Sequence, residues 1–95
     1  MTRLSSLASV ADTRAVLDRF GLSTKKSLGQ HFLINDGVVE RICNLAELSA
    51  EDRVVEVGPG IGTLTEALLK RSGEVVSIER DTDLIEVLEE TCAPF

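Results

Sequence analysis

The chain has 95 residues, with 10 Lys and Arg against 16 Asp and Glu for a formal charge of −6, and 43% hydrophobic content; this ordinary globular mix excludes a disordered acidic tail and leaves room for one domain. The charge is uneven, with five basic and two acidic side chains in residues 1–30 and five basic against fourteen acidic in residues 31–95. By itself that balance argues against a nucleic-acid surface, because phosphate binding relies on clustered Lys and Arg. Cys43 and Cys92 lie far apart and form no Cys-x-x-Cys pair, which favours free thiols in a reducing compartment over a disulfide. No apolar run reaches the roughly 18–20 residues of a membrane span, and Met1–Leu7 is too weakly hydrophobic for a secretory signal. The expected compartment is the cytoplasm, with no membrane partner.

The first dozen residues read as a loose leader. From Asp12 or Thr13, both good caps, the spacing of Val16, Leu17 and Phe20 predicts a short helix, and Gly21 stands where a left-handed C-terminal residue is wanted. Residues 23–33 have neither a 3.6 nor a 2.0 period and read as a loop. Asn35 or Asp36 caps the next predicted helix, whose apolar positions are Val38, Val39, Ile42, Leu45 and Ala46 and which ends near Leu48. The β-branched run Arg53–Val57 predicts a buried strand closed by Gly58-Pro59-Gly60. A helix from about Ile61 to Ser72-Gly73 follows, with Ile61, Leu64, Leu68 and Leu69 inward, then a strand over Glu74–Glu79. A last helix is capped by Asp81 or Thr82 and carries Leu84, Ile85, Val87 and Leu88. Strand, helix and strand in this order make a right-handed βαβ unit with a parallel sheet, so the class is α/β.

Glycines at 58, 60 and 62 let the backbone turn sharply off a strand and let a ligand approach without meeting a Cβ. The helix beyond directs N–H groups and its positive dipole end to the same spot. Glu79 lies 21 residues after Gly58 at the tip of the second strand, where its carboxylate can accept hydrogen bonds from a ribose diol. These features describe a nucleoside site. A dinucleotide fingerprint needs Gly-x-Gly-x-x-Gly, whereas here the third glycine comes one place early and Thr63 occupies its slot. Pro59 also removes an amide that a pyrophosphate would want. Both points favour S-adenosylmethionine, which has a carboxylate and no phosphate, over a nicotinamide cofactor; a plain glycine turn without ligand is the bland alternative. Glu56, flanked by valines, is costly to bury unpaired, so it is expected to face backbone amides or the cofactor's ammonium, against the alternative of a solvent-facing edge position.

Residues 25–33, Lys-Lys-Ser-Leu-Gly-Gln-His-Phe-Leu, followed by Ile34-Asn35-Asp36, resemble the N-terminal cofactor motif of the ribosomal RNA adenine N6,N6-dimethyltransferase family. The upstream Thr13-Arg14…Leu17…Phe20-Gly21-Leu22 and the turn Gly58-Pro59-Gly60-Ile61-Gly62-Thr63-Leu64-Thr65 look like its bacterial small-subunit branch. The resemblance runs from about Thr13 to the C-terminus. It implies a class I S-adenosylmethionine-dependent methyltransferase (Rossmann-like) fold, of which residues 35–95 would be the first βαβ part with an incomplete sheet, and residues 1–34 a leader, short helix and cofactor-covering loop. It also implies that His31 and Leu33 contact the cofactor, that Gly58 approaches its methionine part, and that Glu79 binds its ribose; Glu56 and Gly60 belong to the same expected cofactor site through the reading of the turn itself. Lys25 and Lys26 would touch RNA phosphates or simply be solvated, and Arg80 would lie along the adenine or simply be exposed.

Methylating an adenine N6 amine requires a pocket that holds the flipped base and stacks it on an aromatic ring. Relatives use an Asn-Leu-Pro-Tyr-type segment, and these 95 residues contain none, with three Phe and no Tyr or Trp. The expectation is therefore the N-terminal part of an enzyme that dimethylates two adjacent adenosines near the 3′ end of 16S rRNA in small-subunit ribosome biogenesis. On this reading the chain has no catalytic residue and no metal ligand set, is inactive alone, and meets 16S rRNA and the small ribosomal subunit only through the full-length protein. The alternatives are a truncated, non-catalytic nucleoside-binding βαβ module that associates with itself, and a fragment of a nicotinamide-dependent oxidoreductase.

Overall fold

The computed structural model describes residues 4–22 and 35–95, which form α1 (Val10–Arg19), α2 (Asp36–Ala46), β1 (Arg53–Val57), α3 (Thr63–Arg71), β2 (Glu74–Ile78) and α4 (Thr82–Thr91). Lys25, Lys26, His31 and Leu33 lie outside the described residues.

Residues 4–9 are docked rather than loose. Leu4 and Ser5 donate their amides to the Asp36 carboxylate (3.3 and 3.0 Å), and Ser6 donates its amide and hydroxyl to Glu66 (3.0 and 2.9 Å). Ser5, Leu7 and Ala8 are buried. The first helix consequently starts at Val10, with Ser9 in extended geometry accepting from the Asp12 amide at 3.0 Å; Asp12 sits in the first turn, where its charge suits the helix dipole. At the other end Gly21 has φ 68°, its amide reaches Asp18 O at 3.1 Å, and the Leu22 amide reaches Leu17 O at 2.8 Å. That pair of bonds is a Schellman ending, which a left-handed glycine makes inexpensive.

Asn35 caps α2 as expected, accepting from Gly37 N and Val38 N at 2.8 and 3.2 Å. The buried face of α2 is Val39 and Cys43, while Leu45 is 77% exposed. β1 and β2 pair in parallel, with Arg53 opposite Glu74, Glu56 opposite Ser77 and Val57 opposite Ile78. β1 was expected to be a buried strand, and it is covered only on its helix-facing side, where Glu56 is buried and Val54 half-buried. Val54, Glu56, Val75 and Ser77 share the face against which the helices lie. Val55, Val57, Val76 and Ile78 on the other are 62, 78, 44 and 55% exposed, because side chains alternate along a strand and no described element covers that face.

Two apolar clusters hold the helices. Leu7, Val16, Leu17, Ile61, Leu84 and Val87 join α1 and α4 to the segment after β1. Ala8, Val39, Cys43, Ala67 and Leu68 join α2 to α3. An ion pair between Arg19 and Glu90 ties α1 to α4. Cys43 and Cys92 are both free thiols. No helix among the described residues is long and apolar enough to cross a membrane.

Candidate functional site

The loop from β1 to α3 carries three glycines in left-handed conformation, Gly58 (φ 72°), Gly60 (φ 62°) and Gly62 (φ 99°). A Cβ is strained at such angles, so the turn depends on glycine. The third conformation also explains why α3 begins at Thr63 and not near Ile61: Gly62 is its N-cap and makes no side-chain capping bond. The positive end of the α3 dipole thus faces the end of the sheet. The Gly58 amide continues the sheet ladder by donating to Ile78 O at 2.9 Å, and a Cβ built on Gly58 meets nothing within 4 Å. The backbone there borders open space, as a ligand's approach requires.

Glu79 follows β2 and reaches across this crevice. One carboxylate oxygen accepts from Gly60 N at 3.3 Å and the other from Asp81 N at 3.0 Å, while Asp81 in turn caps α4 by accepting from Asp83 N at 3.0 Å. The parallel register that sets Val57 beside Ile78 brings the glycine turn and the acid together although they are 19 residues apart at that contact. The long bond to Gly60 leaves that carboxylate oxygen ready to exchange a backbone donor for a hydroxyl donor.

Glu56 was expected to face backbone amides or an ammonium. It is 8% exposed, and its Oε1 instead accepts two hydroxyls, from Thr65 at 2.5 Å and from Ser77 at 3.0 Å. Burying a carboxylate is costly unless it is hydrogen-bonded, and both donors lie on the helix-covered side. Sequence reasoning missed them; the available signal was Ser77, a hydroxyl among valines that falls opposite Glu56 once the strands are aligned. Thr65 and Ser77 also line a cavity of about 390 Å³ bounded by α3, β2 and α4, with Glu79 among its lining residues.

Of the predicted site residues, Glu56, Gly58, Gly60 and Glu79 therefore cluster at the carboxyl ends of two parallel strands, the place where open α/β sheets bind ligands. His31 and Leu33 lie outside the described residues. Arg80 is exposed beyond β2. Among the described residues no three His, Cys, Asp or Glu side chains group so as to hold a metal.

Comparison with known proteins gives these features a family. A Ribosomal RNA small subunit methyltransferase A of Pediococcus pentosaceus is 53% identical over 83 residues, 87% of this chain and 28% of its own length. One from a Geobacillus species is 46% identical over 89 residues, 94% of this chain and 31% of its own. The chain thus spans less than a third of the length of these curated relatives. A dimethyladenosine transferase from Plasmodium falciparum superposes with a TM-score of 0.64 at 33% identity, over 67% of this chain and 24% of that one, so the βαβ unit is the Rossmann-like start of a methyltransferase fold. Residues 21–94, which hold both the Gly-Gln-His-Phe-Leu segment and the glycine turn, match the family described as Ribosomal RNA adenine dimethylase, and to that family the chain belongs.

Proposed function

We propose that the chain builds the first half of an S-adenosylmethionine site in an enzyme that dimethylates N6 of two adjacent adenosines near the 3′ end of 16S rRNA, in the cytoplasm during small-subunit biogenesis. The observation that carries this reading is the Glu79 carboxylate, set at the tip of β2 against the Gly60 amide of a three-glycine turn. The residues fit the cofactor. Gly58 offers backbone next to open space, the α3 N-terminus favours the methionine carboxylate, and Glu79 accepts the two ribose hydroxyls. Pro59 and the early third glycine leave too few amides for a pyrophosphate. When bound, S-adenosylmethionine supplies an electrophilic methyl group on a sulfonium centre.

The chain's own residues bind and orient. Glu56, held on one oxygen by Thr65 and Ser77, presents negative charge beneath the turn and complements the cofactor's cationic methionine portion. His31 and Leu33, in a segment spanning residues 1–34 with the N-terminal helix, complete the cofactor contacts. Residues 35–95 supply the sheet and its crevice. Glu56 and Glu79 offer no ring on which a flipped adenine could stack, so recognition of rRNA and methyl transfer belong to the full-length protein, and the 95-residue chain is expected to bind without transferring.

Calorimetric titration with S-adenosylhomocysteine and with NADH tests this. The first should bind and the second not. Glu79→Gln removes charge-assisted hydrogen bonds worth about 1.5–3 kcal/mol, a loss of about ten- to a hundredfold in affinity. Preference for NADH, or unchanged affinity in Glu79→Gln, would overturn the reading.

A further inference from the structure

The glycine turn is the least constrained part of the site, since three of its five residues have left-handed glycine geometry and α3 has no side-chain cap. Besides the first helical bond of α3, from Glu66 N to Gly62 O at 2.9 Å, four hydrogen bonds fix its shape. Three come from its immediate surroundings: Gly58 N to Ile78 O, Gly62 N to Pro59 O, and Gly60 N to Glu79. The fourth comes from the last turn of α4, where Thr91 donates its hydroxyl to Ile61 O at 2.7 Å across 30 residues. It is the shortest of the four and it is buried, with Thr91 9% and Ile61 1% exposed, so water cannot replace the donor without opening the packing.

The packing around this bond shows that α4 bears directly on the turn. A Cβ on Gly62 would lie 2.8 Å from Thr91 Oγ1, 3.0 Å from Cys92 Sγ and 3.3 Å from a Leu88 methyl. Ile61 itself packs with Leu84 and Val87 of the same helix. The peptide joining Ile61 to Gly62 is held at both ends, by Gly62 N to Pro59 O at 3.1 Å and by the Ile61 carbonyl directed at Thr91. Without the Thr91 donor only the longer Gly62–Pro59 bond would resist rotation of that peptide between its flanking glycines, and rotation would re-aim the first amides of α3 and disturb the Gly60 amide that meets Glu79.

We propose that Thr91 is a positioning residue for the cofactor-binding turn: its hydroxyl locks the Ile61–Gly62 peptide so that the Gly60 amide and the α3 N-terminus are held ready for ligand. The inference rests on the turn being the cofactor site. Thr91 touches no ligand and acts through the Ile61 carbonyl.

The test compares Thr91→Val, which keeps the shape and removes the donor, with Thr91→Ser, which keeps the donor. Both are measured well below the unfolding midpoint, where a residue that merely adds global stability leaves binding unchanged. Thr91→Val should weaken S-adenosylhomocysteine binding about tenfold, and Thr91→Ser should restore it to within about twofold. In ligand-free protein, amide hydrogen exchange at Gly60 and Gly62 should quicken about tenfold in Thr91→Val while β1 and α2 amides keep their rates. Parental affinity in Thr91→Val, or exchange that quickens equally throughout, would overturn the proposal. Should the parent chain itself fail to bind, the cofactor reading falls, and the exchange arm alone still decides whether Thr91 fixes the turn. Should Thr91→Val not fold, the parent decides: a slowly exchanging Thr91 hydroxyl proton coupled to the Ile61 carbonyl supports the lock, and a freely exchanging one refutes it.

Discussion

Two glycines of the turn have similar backbone angles and opposite surroundings, so alanine at each separates a ligand-facing position from a packing position. At Gly58 (φ 72°) an added Cβ meets nothing within 4 Å, so the cost is conformational alone. The left-handed region costs an L-residue about 1–2 kcal/mol, and the stiffer unfolded chain returns about 0.4–1 kcal/mol of it. The net loss of about 1 kcal/mol lowers the midpoint of a domain this size by about 4–8 °C. At Gly62 (φ 99°) the same methyl sits 2.8 Å from Thr91 Oγ1 and 3.0 Å from Cys92 Sγ, and displacing α4 adds an overpacking term of about 1–3 kcal/mol. Gly62→Ala should therefore lose at least about 10 °C. Thermal unfolding by circular dichroism measures both. Titration with S-adenosylhomocysteine should show Gly58→Ala folded at room temperature yet weakened at least tenfold in binding, because its methyl fills the space a ligand approaches. Equal midpoints for the two variants, or parental affinity in Gly58→Ala, would refute the assignment of Gly58 to the ligand face.

Glu66→Ala removes the acceptor that holds Ser6 at a site 2% exposed and should cost about 2–3 kcal/mol; urea unfolding measures the loss, and limited proteolysis should newly cut within residues 4–9. Burial pushes both thiols above their ordinary value near 9, against a partly opposing pull from Arg71 on Cys43 and from the Thr91 hydrogen bond on Cys92. The protonated thiol is the form the fold prefers, so this stability is fully present below about pH 9 and is lost as pH rises through the raised folded values. The thermal midpoint should accordingly fall as pH rises beyond about 9, and Cys43→Ala should flatten part of that fall.

Much of this was legible because it is written locally. The bounds of β1, the Asn35 cap, the left-handed Gly21 and the pairing of a glycine turn with an acid on the next strand each follow from short-range chemistry. What escaped depends on contacts distant in sequence. Residues 4–9 show no period, and their order comes from carboxylates at Asp36 and Glu66. The inward turn of Glu56 was legible from its cost of burial unpaired, but the valine-rich strands look alike on both faces, so which valines stand bare, Val55 and Val57, followed only from the register and the helix layer. The α2 face shifted to Val39 and Cys43 because α3 offers Ala67 and Leu68 there. The Thr91–Ile61 bond had no local signature at all.

The docking of residues 4–9 also orders events during synthesis. Ser6 leaves the ribosome early, but Glu66, which receives it, is 60 residues further along the chain, several seconds later at bacterial translation speeds of about 5–20 residues per second. Asp36 and α2 are made first and can hold Leu4, Ser5 and Ala8, but Ser6 has no carboxylate to receive it until α3 has emerged. The Ser6 contact thus closes long after Ser6 is made, and its closing reports that the helix behind the cofactor turn has formed.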